Sequence, residues 1–563
     1  MDNQRLLIWA FFGLMAWITY QTWMQDYGPK PATPPAAVEA VDAEQPAIPD
    51  DGGLPTITDA TIDAPAPVVA DAPAVTPAAT APVVRVLTDV LDVEISTQGG
   101  TIQSATLRRY PVAKDRPDDL VVLLSTEDLN YGAVQTGIRT AGAPAGTAEP
   151  THQAMFTAPQ SNYALNDGEE LVVPLRWTGP DGITVEKRFT FRRGGYAIDI
   201  EQELTNNSGN EWRGAAYAQV RRRFVDWDRS MFDVDSYSFS GPITYDGDKA
   251  EKRDRDDLLE DGPVKYKSSD GWVASIEHHF VTAIVPARGT DQSYTVSARG
   301  ERSTASALGS TTSVGAGESA VFETTAFVGP KLQSQLEDID ESLKLTVDYG
   351  WLTLLSNPMF WVLSFIHDFV GNWGVAIILM TLLIKLIFYK LTESSGRSMA
   401  KMRQLQPRMQ ALQERYKDDR QALSQAMMDL YKREKVNPAA GCLPILIQMP
   451  FFLAFYWVLL ESVEMRQAPF MLWITDLSSR DPYFILPIIM GAAMLFQQKL
   501  NPAPADPVQA KVMQIMPIMF TVFFAFFPSG LVLYWVTNTL LSIAQQWKIN
   551  KVVEKEAAKR RKN

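Results

Sequence analysis

One lysine stands where a charge is expensive. Lys385 lies within GNWGVAIILMTLLIKLIFYKLTESS, residues 371–395, and the stretch from Trp373 to Leu391 is almost wholly apolar. That is about the 20 residues needed to cross a ~30 Å hydrocarbon core. A charge at such depth costs roughly 2.5–3.5 kcal/mol on insertion scales and usually faces protein or water. Thr381, Lys385, Tyr389 and Thr392 fall on one helical stripe. Lys390 marks the polar end only about 8 Å away, so the lysine could simply snorkel to the surface. Other apolar runs also carry polar groups: Gln448 in one, and Tyr534, Asn538 and Gln545 near one face of another. These could be ordinary interhelical hydrogen-bond formers. Alternatively they surround Lys385 in a wet cavity of positive potential. With no carboxylate at the same depth, the set is unlike a proton relay.

Other chemistry is sparse. The histidines His152, His278, His279 and His367 lack ligand-like spacing, so no metal or other cofactor is expected. His278 and His279 are expected on opposite faces of a strand. Cys442 is the single cysteine, which excludes an intrachain disulfide. No nucleophile elbow, phosphate loop or paired-carboxylate constellation stands out, and the chain is not expected to be an enzyme.

The elements that position Lys385 divide by charge. From Lys385 onward there are 23 lysines and arginines against 13 acidic residues, whereas the whole chain of 563 residues carries −13. An acidic N-terminal region ahead of a basic, apolar third fits a membrane protein with one large domain outside the cytoplasm. Residues 1–26 read as a retained signal-anchor helix and 27–81 as a Pro/Ala-rich tether unable to form a core. From 82 to 330 the apolar residues alternate, as in Ile183, Val185, Phe189 and Phe191, and turn signals such as Gly194-Gly195 recur. That predicts a β-sandwich. Asp246 to Gly262 is expected to be a solvated, charged loop.

Residues 331–370 predict amphipathic helices in the outer interface. The helix of 371–393 follows, then a cytoplasmic helical hairpin over 394–438, four more spans within 439–547, and a basic tail, 548–563. With the anchor this makes six transmembrane helices. The hairpin carries ten Lys/Arg and the tail seven, against two between Glu464 and Pro482. The positive-inside rule therefore puts both termini and the hairpin in the cytoplasm. Met399, Met402, Leu405 and Met409 keep three/four spacing in the hairpin, and Asp418-Asp419 precedes its second helix as a cap. Fifteen of the 20 methionines follow residue 358; this soft side chain suits packing, or contact with varied apolar segments.

Three blocks carry a resemblance: VNPAAGCLPILIQMPFFLAFYWVL (436–459), RQAPFMLWITDLSSRDPYFILPIIMG (466–491) and FPSGLVLYWVTN (527–538). Together with SMAKMRQLQPRMQ (398–410), they closely resemble the YidC membrane protein insertases over about 345–550. The resemblance implies a five-helix insertase core in the bacterial inner membrane. It also implies a hydrophilic groove open to cytoplasm and lipid, and a periplasmic β-supersandwich. Nascent membrane proteins, the Sec translocon with its accessory subunits, and the ribosome with targeting factors at the hairpin and tail are its implied partners. Lys385 occupies a position where the family usually has arginine, keeping the charge without the planar fork. Lys390 replaces a common proline, which predicts a straighter helix end. The family's groove positions map onto Thr381, Gln448, Phe452, Met490, Phe523 and Trp535, beside Tyr534 and Asn538. The expected mechanism draws a substrate tail toward Lys385 while its apolar segment slides past Phe452, Met490 and Phe523. A secondary transporter using Lys385 as a coupling site is the competing expectation.

Overall fold

The computed structural model describes residues 54–55, 81–144, 146–225, 238–416, 419–434, 443–500 and 507–562. The expected anchor, nearly all of the tether, Asp418 and Cys442 lie outside them.

The alternating pattern becomes two sheets. One has 11 strands and the other eight. Among the described residues every pairing is antiparallel except Val83–Leu87 with Asn162–Ala164. Strand Ile183–Arg192 sets Val185, Phe189 and Phe191 opposite Leu204, Ile200 and Ile198 of Ala197–Asn206, all buried. Such apolar cross-strand pairs are the unit of sheet stability. Lys187 shares that inward face. Its ammonium reaches the other sheet and donates to Gly99 O at 2.6 Å and Thr136 O at 2.7 Å, pinning the two layers together. Asp246 to Gly262 is not the loop expected. It forms strand Ala250–Lys252 and helix Arg255–Glu260, because Leu258 buries itself among the core residues.

The C-terminal half is helical: α1 (Thr353–Val370), α2 (Trp373–Ile387), α3 (Tyr389–Arg415), α4 (Arg420–Arg433), α5 (Leu443–Glu461), α6 (Ile485–Leu500), α7 (Pro507–Phe524) and α8 (Ser529–Lys562). Gly371 ends α1 at φ 66°, a left-handed cap that glycine adopts without strain. Asn372 then caps α2 by accepting from Val375 N–H at 3.0 Å. The helix expected over 371–393 is not continuous. It bends by 69° at Phe388, where φ and ψ leave helical values. The straighter end anticipated from Lys390 is therefore wrong. No proline sits at the bend, and Thr392 braces its far side, donating its hydroxyl to Phe388 O at 3.0 Å. Asp419 caps α4 through Gln421 and Ala422 N–H, and Leu405 and Met409 of α3 pack on Met427 and Leu430.

Among the described residues no single helix is long and apolar enough to cross a membrane; α2 and α3 pass only as a bent pair. Helix length alone does not establish the six spans expected.

Candidate functional site

The bend turns α3 away from α2 and opens a seam against α5 and α8. Lys385, half-buried, donates from Nζ to Ser542 Oγ on α8 at 2.8 Å. Ser542 in turn donates to Asn538 O at 2.7 Å. Toward the α3 side of the bend, Gln545 Nε2 donates to Tyr389 O at 3.4 Å, and Gln448 Nε2 on α5 to Thr392 Oγ1 at 3.3 Å. Lys385, Tyr389 and Thr392 of one stripe thus meet three polar side chains from two other helices. Ser542 went unremarked in the sequence, although Asn538, Ser542 and Gln545 share three/four spacing with each other.

Aromatic rings close the opposite end. Phe452 on α5 stacks on Tyr534 with centroids 5.8 Å apart and meets Trp535 edge-on at 4.8 Å. Trp535 also touches Phe524 at 5.4 Å, while its enclosed indole N–H has no hydrogen-bond partner among the described residues. Phe523 stands 48% exposed on the outer face of α7.

Two expected groove residues are misplaced. Thr381 is 1% exposed, and its hydroxyl donates to Ile377 O at 2.6 Å. One turn from Lys385 it rotates into the helix packing and satisfies itself within α2. Met490 is 0% exposed, so it is core rather than sliding surface. Gly491 beside it explains why: a Cβ there would lie 2.0 Å from Thr521 Oγ1, so α6 and α7 cross with almost no space between them.

A second group of ionisable residues joins the β domain to the helices; the sequence singled out its histidine pair but not Lys331 or Glu464. His278 and His279 do not occupy opposite faces of a strand. They sit in the turn between strands Trp272–Ile276 and Phe280–Pro286, with rings stacked at 3.8 Å. Both place Nε2 near Leu460 O at the end of α5, at 3.2 and 3.4 Å. Lys331 Nζ donates to His278 O at 3.0 Å, and burial pulls its pKa down to about 8. Glu464 is pushed up to about 7, chiefly by desolvation. The residue as a whole is partly exposed, but its Oε2 is enclosed and, among the described residues, unpaired, while Oε1 accepts weakly from Gln333 N–H at 3.4 Å.

Residues 83–362 match the YidC periplasmic domain, and 365–556 match the 60Kd inner membrane protein. The class so defined is an inner membrane protein with a β-rich periplasmic domain. The membrane protein insertase YidC of Thioalkalivibrio sulfidiphilus is 47% identical, covering 99% of this chain and all of its own length. Its counterpart in Nitrosococcus oceani is 45% identical over the same shares. A solved YidC insertase with its first transmembrane domain resolved is 20% identical, covers 83% of this chain and 94% of its own, and superposes with a TM-score of 0.38. The chain belongs to the YidC membrane protein insertase family.

Proposed function

We propose that the seam around Lys385 is the insertion groove of a membrane protein insertase. It receives the polar tail of a nascent inner-membrane protein. The observation that carries this is the lysine held at 2.8 Å by Ser542 between a bent helix and α8, with no carboxylate paired to it among the described residues. A positive charge tethered by a neutral hydroxyl keeps its field and attracts an acidic or polar tail. The client's apolar segment moves past Phe452 and Phe523 into lipid, driven by hydrophobic partition, and no covalent step is needed. Trp535 and Asn538 line the groove above the lysine, Gln448 lines it below, and Tyr534, buried against Phe452, backs it rather than lining it.

The same reading puts both termini and the α3–α4 hairpin in the cytoplasm, six helices across the membrane, and the β domain in the periplasm. Ten basic residues in the hairpin segment support that orientation. The hairpin and the basic end of α8 would meet ribosomes and targeting factors, and the helical region the Sec translocon. The transporter alternative finds no support among the relatives.

The test is reconstituted insertion of a client with an acidic periplasmic tail. Lys385→Arg is expected to insert it within about twofold of wild type, and Lys385→Glu to lose about tenfold or more. Full activity of Lys385→Glu would remove the charge from the mechanism.

A further inference from the structure

A cavity lies away from the groove, where the β domain meets the periplasmic helix ends. It measures about 900 Å³. The β-hairpin tip at Val112 to Asp115 forms one wall. The connection between α5 and α6, residues 462–484, forms another, and the stacked His278–His279 pair the back. Leu459, Leu460, Phe526 and Pro528, at the ends of α5, α7 and α8, give it an apolar side.

Its lining carries three cationic side chains, Lys114, Arg466 and Arg480, against two carboxylates, Asp115 and Asp476. The carboxylate of Asp476 is already engaged. It accepts from Gln467 N–H at 2.9 Å, from Ser478 N–H at 2.9 Å and Oγ at 2.7 Å, and from Ser479 Oγ at 2.8 Å. Lys114 is held by backbone carbonyls of Gln467 and Thr475, which fix its position without cancelling its charge. Arg480 is exposed, and among the described residues its guanidinium has no hydrogen-bond or ion-pair partner. These five groups therefore leave an excess of one positive charge, with Arg480 open to an anion.

The connection itself is strained. Gln467, Leu472 and Phe484 have φ of 57°, 55° and 57°, the only non-glycine residues among those described to do so. Backbone held in the left-handed region by bulky residues marks a segment whose shape serves something other than its own stability. Leu472 and Tyr483 are nevertheless 80% and 66% exposed, beside Met471 at 50%. Apolar side chains held outward on a periplasmic connection fit immersion at the level of lipid headgroups.

We propose that this cavity binds an anionic phospholipid of the outer leaflet. Its phosphodiester pairs with Arg480 and Lys114, and its acyl chains lie along Phe526 and the exposed side of the connection. Arginine suits this role because its planar fork pairs with two phosphate oxygens at once. The proposal rests on the chain's place in the membrane but not on the groove or on Lys385.

The test uses full-length protein in neutral detergent, with short-chain phosphatidylglycerol titrated and bound lipid counted by native mass spectrometry. Arg480→Ala is expected to weaken binding about tenfold, and Arg480→Lys to recover much of it. Phosphatidylcholine is expected to bind far more weakly than phosphatidylglycerol. Because Arg480 is exposed, an unchanged melting temperature in both variants confirms that the fold is intact. Equal binding by wild type and Arg480→Ala would overturn the site, as would equal binding of phosphatidylcholine. Displacement of the lipid by inorganic phosphate at the same concentration would make it a free-anion site instead. Displacement by an acidic peptide would make it a protein-segment site.

Discussion

At the scale of single residues, position relative to neighbours decides what a charge does. Lys385 is anchored by one hydroxyl, so its hydrogen bond and its charge can be separated experimentally. Ser542→Ala removes the tether but not the charge, and insertion is expected to stay within about threefold of wild type, since a neutral hydrogen bond contributes about 1 kcal/mol. A loss as deep as that of Lys385→Glu would mean that geometry, not charge, is what matters. Glu464 offers a pH test at the domain junction. Its folded pKa of about 7 exceeds the ordinary 4.5, so the folded state binds the extra proton. The stability it contributes is present below pH 4.5 and is lost as pH rises toward 7. Glu464→Gln should remove that dependence and raise stability at pH 8 by about 1–3 kcal/mol. Thermal melts of the two proteins at pH 5 and pH 8 check this; parallel pH profiles would refute it.

At the scale of elements, two close approaches organise the molecule. Where α6 and α7 cross at Gly491, a methyl group would collide with Thr521 Oγ1. Gly491→Ala is expected to destabilise by about 1–3 kcal/mol, as overpacking of tight cores does. Thr521→Ser keeps the hydroxyl and should not rescue it unless the side chain rotates, whereas Thr521→Ala should restore most of the loss in a double-mutant cycle. Between the sheets, Lys187 is fully buried, and desolvation lowers its pKa to about 7. The unfolded lysine, near 10.5, holds a proton that the folded one releases, so stability contributed through this residue rises from pH 7 toward 10.5. Lys187→Met should flatten that rise and, by stranding the carbonyls of Gly99 and Thr136, lower stability at neutral pH by about 1–3 kcal/mol. Chemical denaturation at pH 7 and 9.5 provides the measurement.

At the scale of the whole molecule, the β domain is docked onto the helical half rather than merely tethered to it. Arg466 donates to Pro111 O at 3.2 Å and Val112 O at 3.1 Å, and its guanidinium lies 5.4 Å over the Phe280 ring. Gln467 Nε2 donates to Pro111 O at 2.8 Å. Arg466→Ala is expected to loosen the joint while leaving each half folded. Faster proteolysis at the hairpin tip around Lys114, with unchanged secondary structure by circular dichroism, would show this; unchanged cleavage would place the docking energy elsewhere.

Much of this was legible in residue order because it depends on local periodicity. Alternation over 183–206 specified strands with a buried face, and apolar runs with basic flanks specified the helices, since period and partition act on neighbouring residues. The charge within an apolar run could be seen, and so could the polar residues of other runs. What order could not supply was rotation. Thr381 and Lys385 are one turn apart, yet one packs inward and the other reaches Ser542. Met490 reads like Phe523 but is sealed by the approach that Gly491 permits. The bend at Phe388 occurs in a run of apolar residues with no proline, where residue order predicted a continuous helix. The cavity at the domain joint draws on the hairpin tip, the histidine pair and the strained connection, segments more than 100 residues apart that only tertiary packing brings together. Sequence determined which residues would leave water; the folded chain decided which of the remaining polar groups would meet one another.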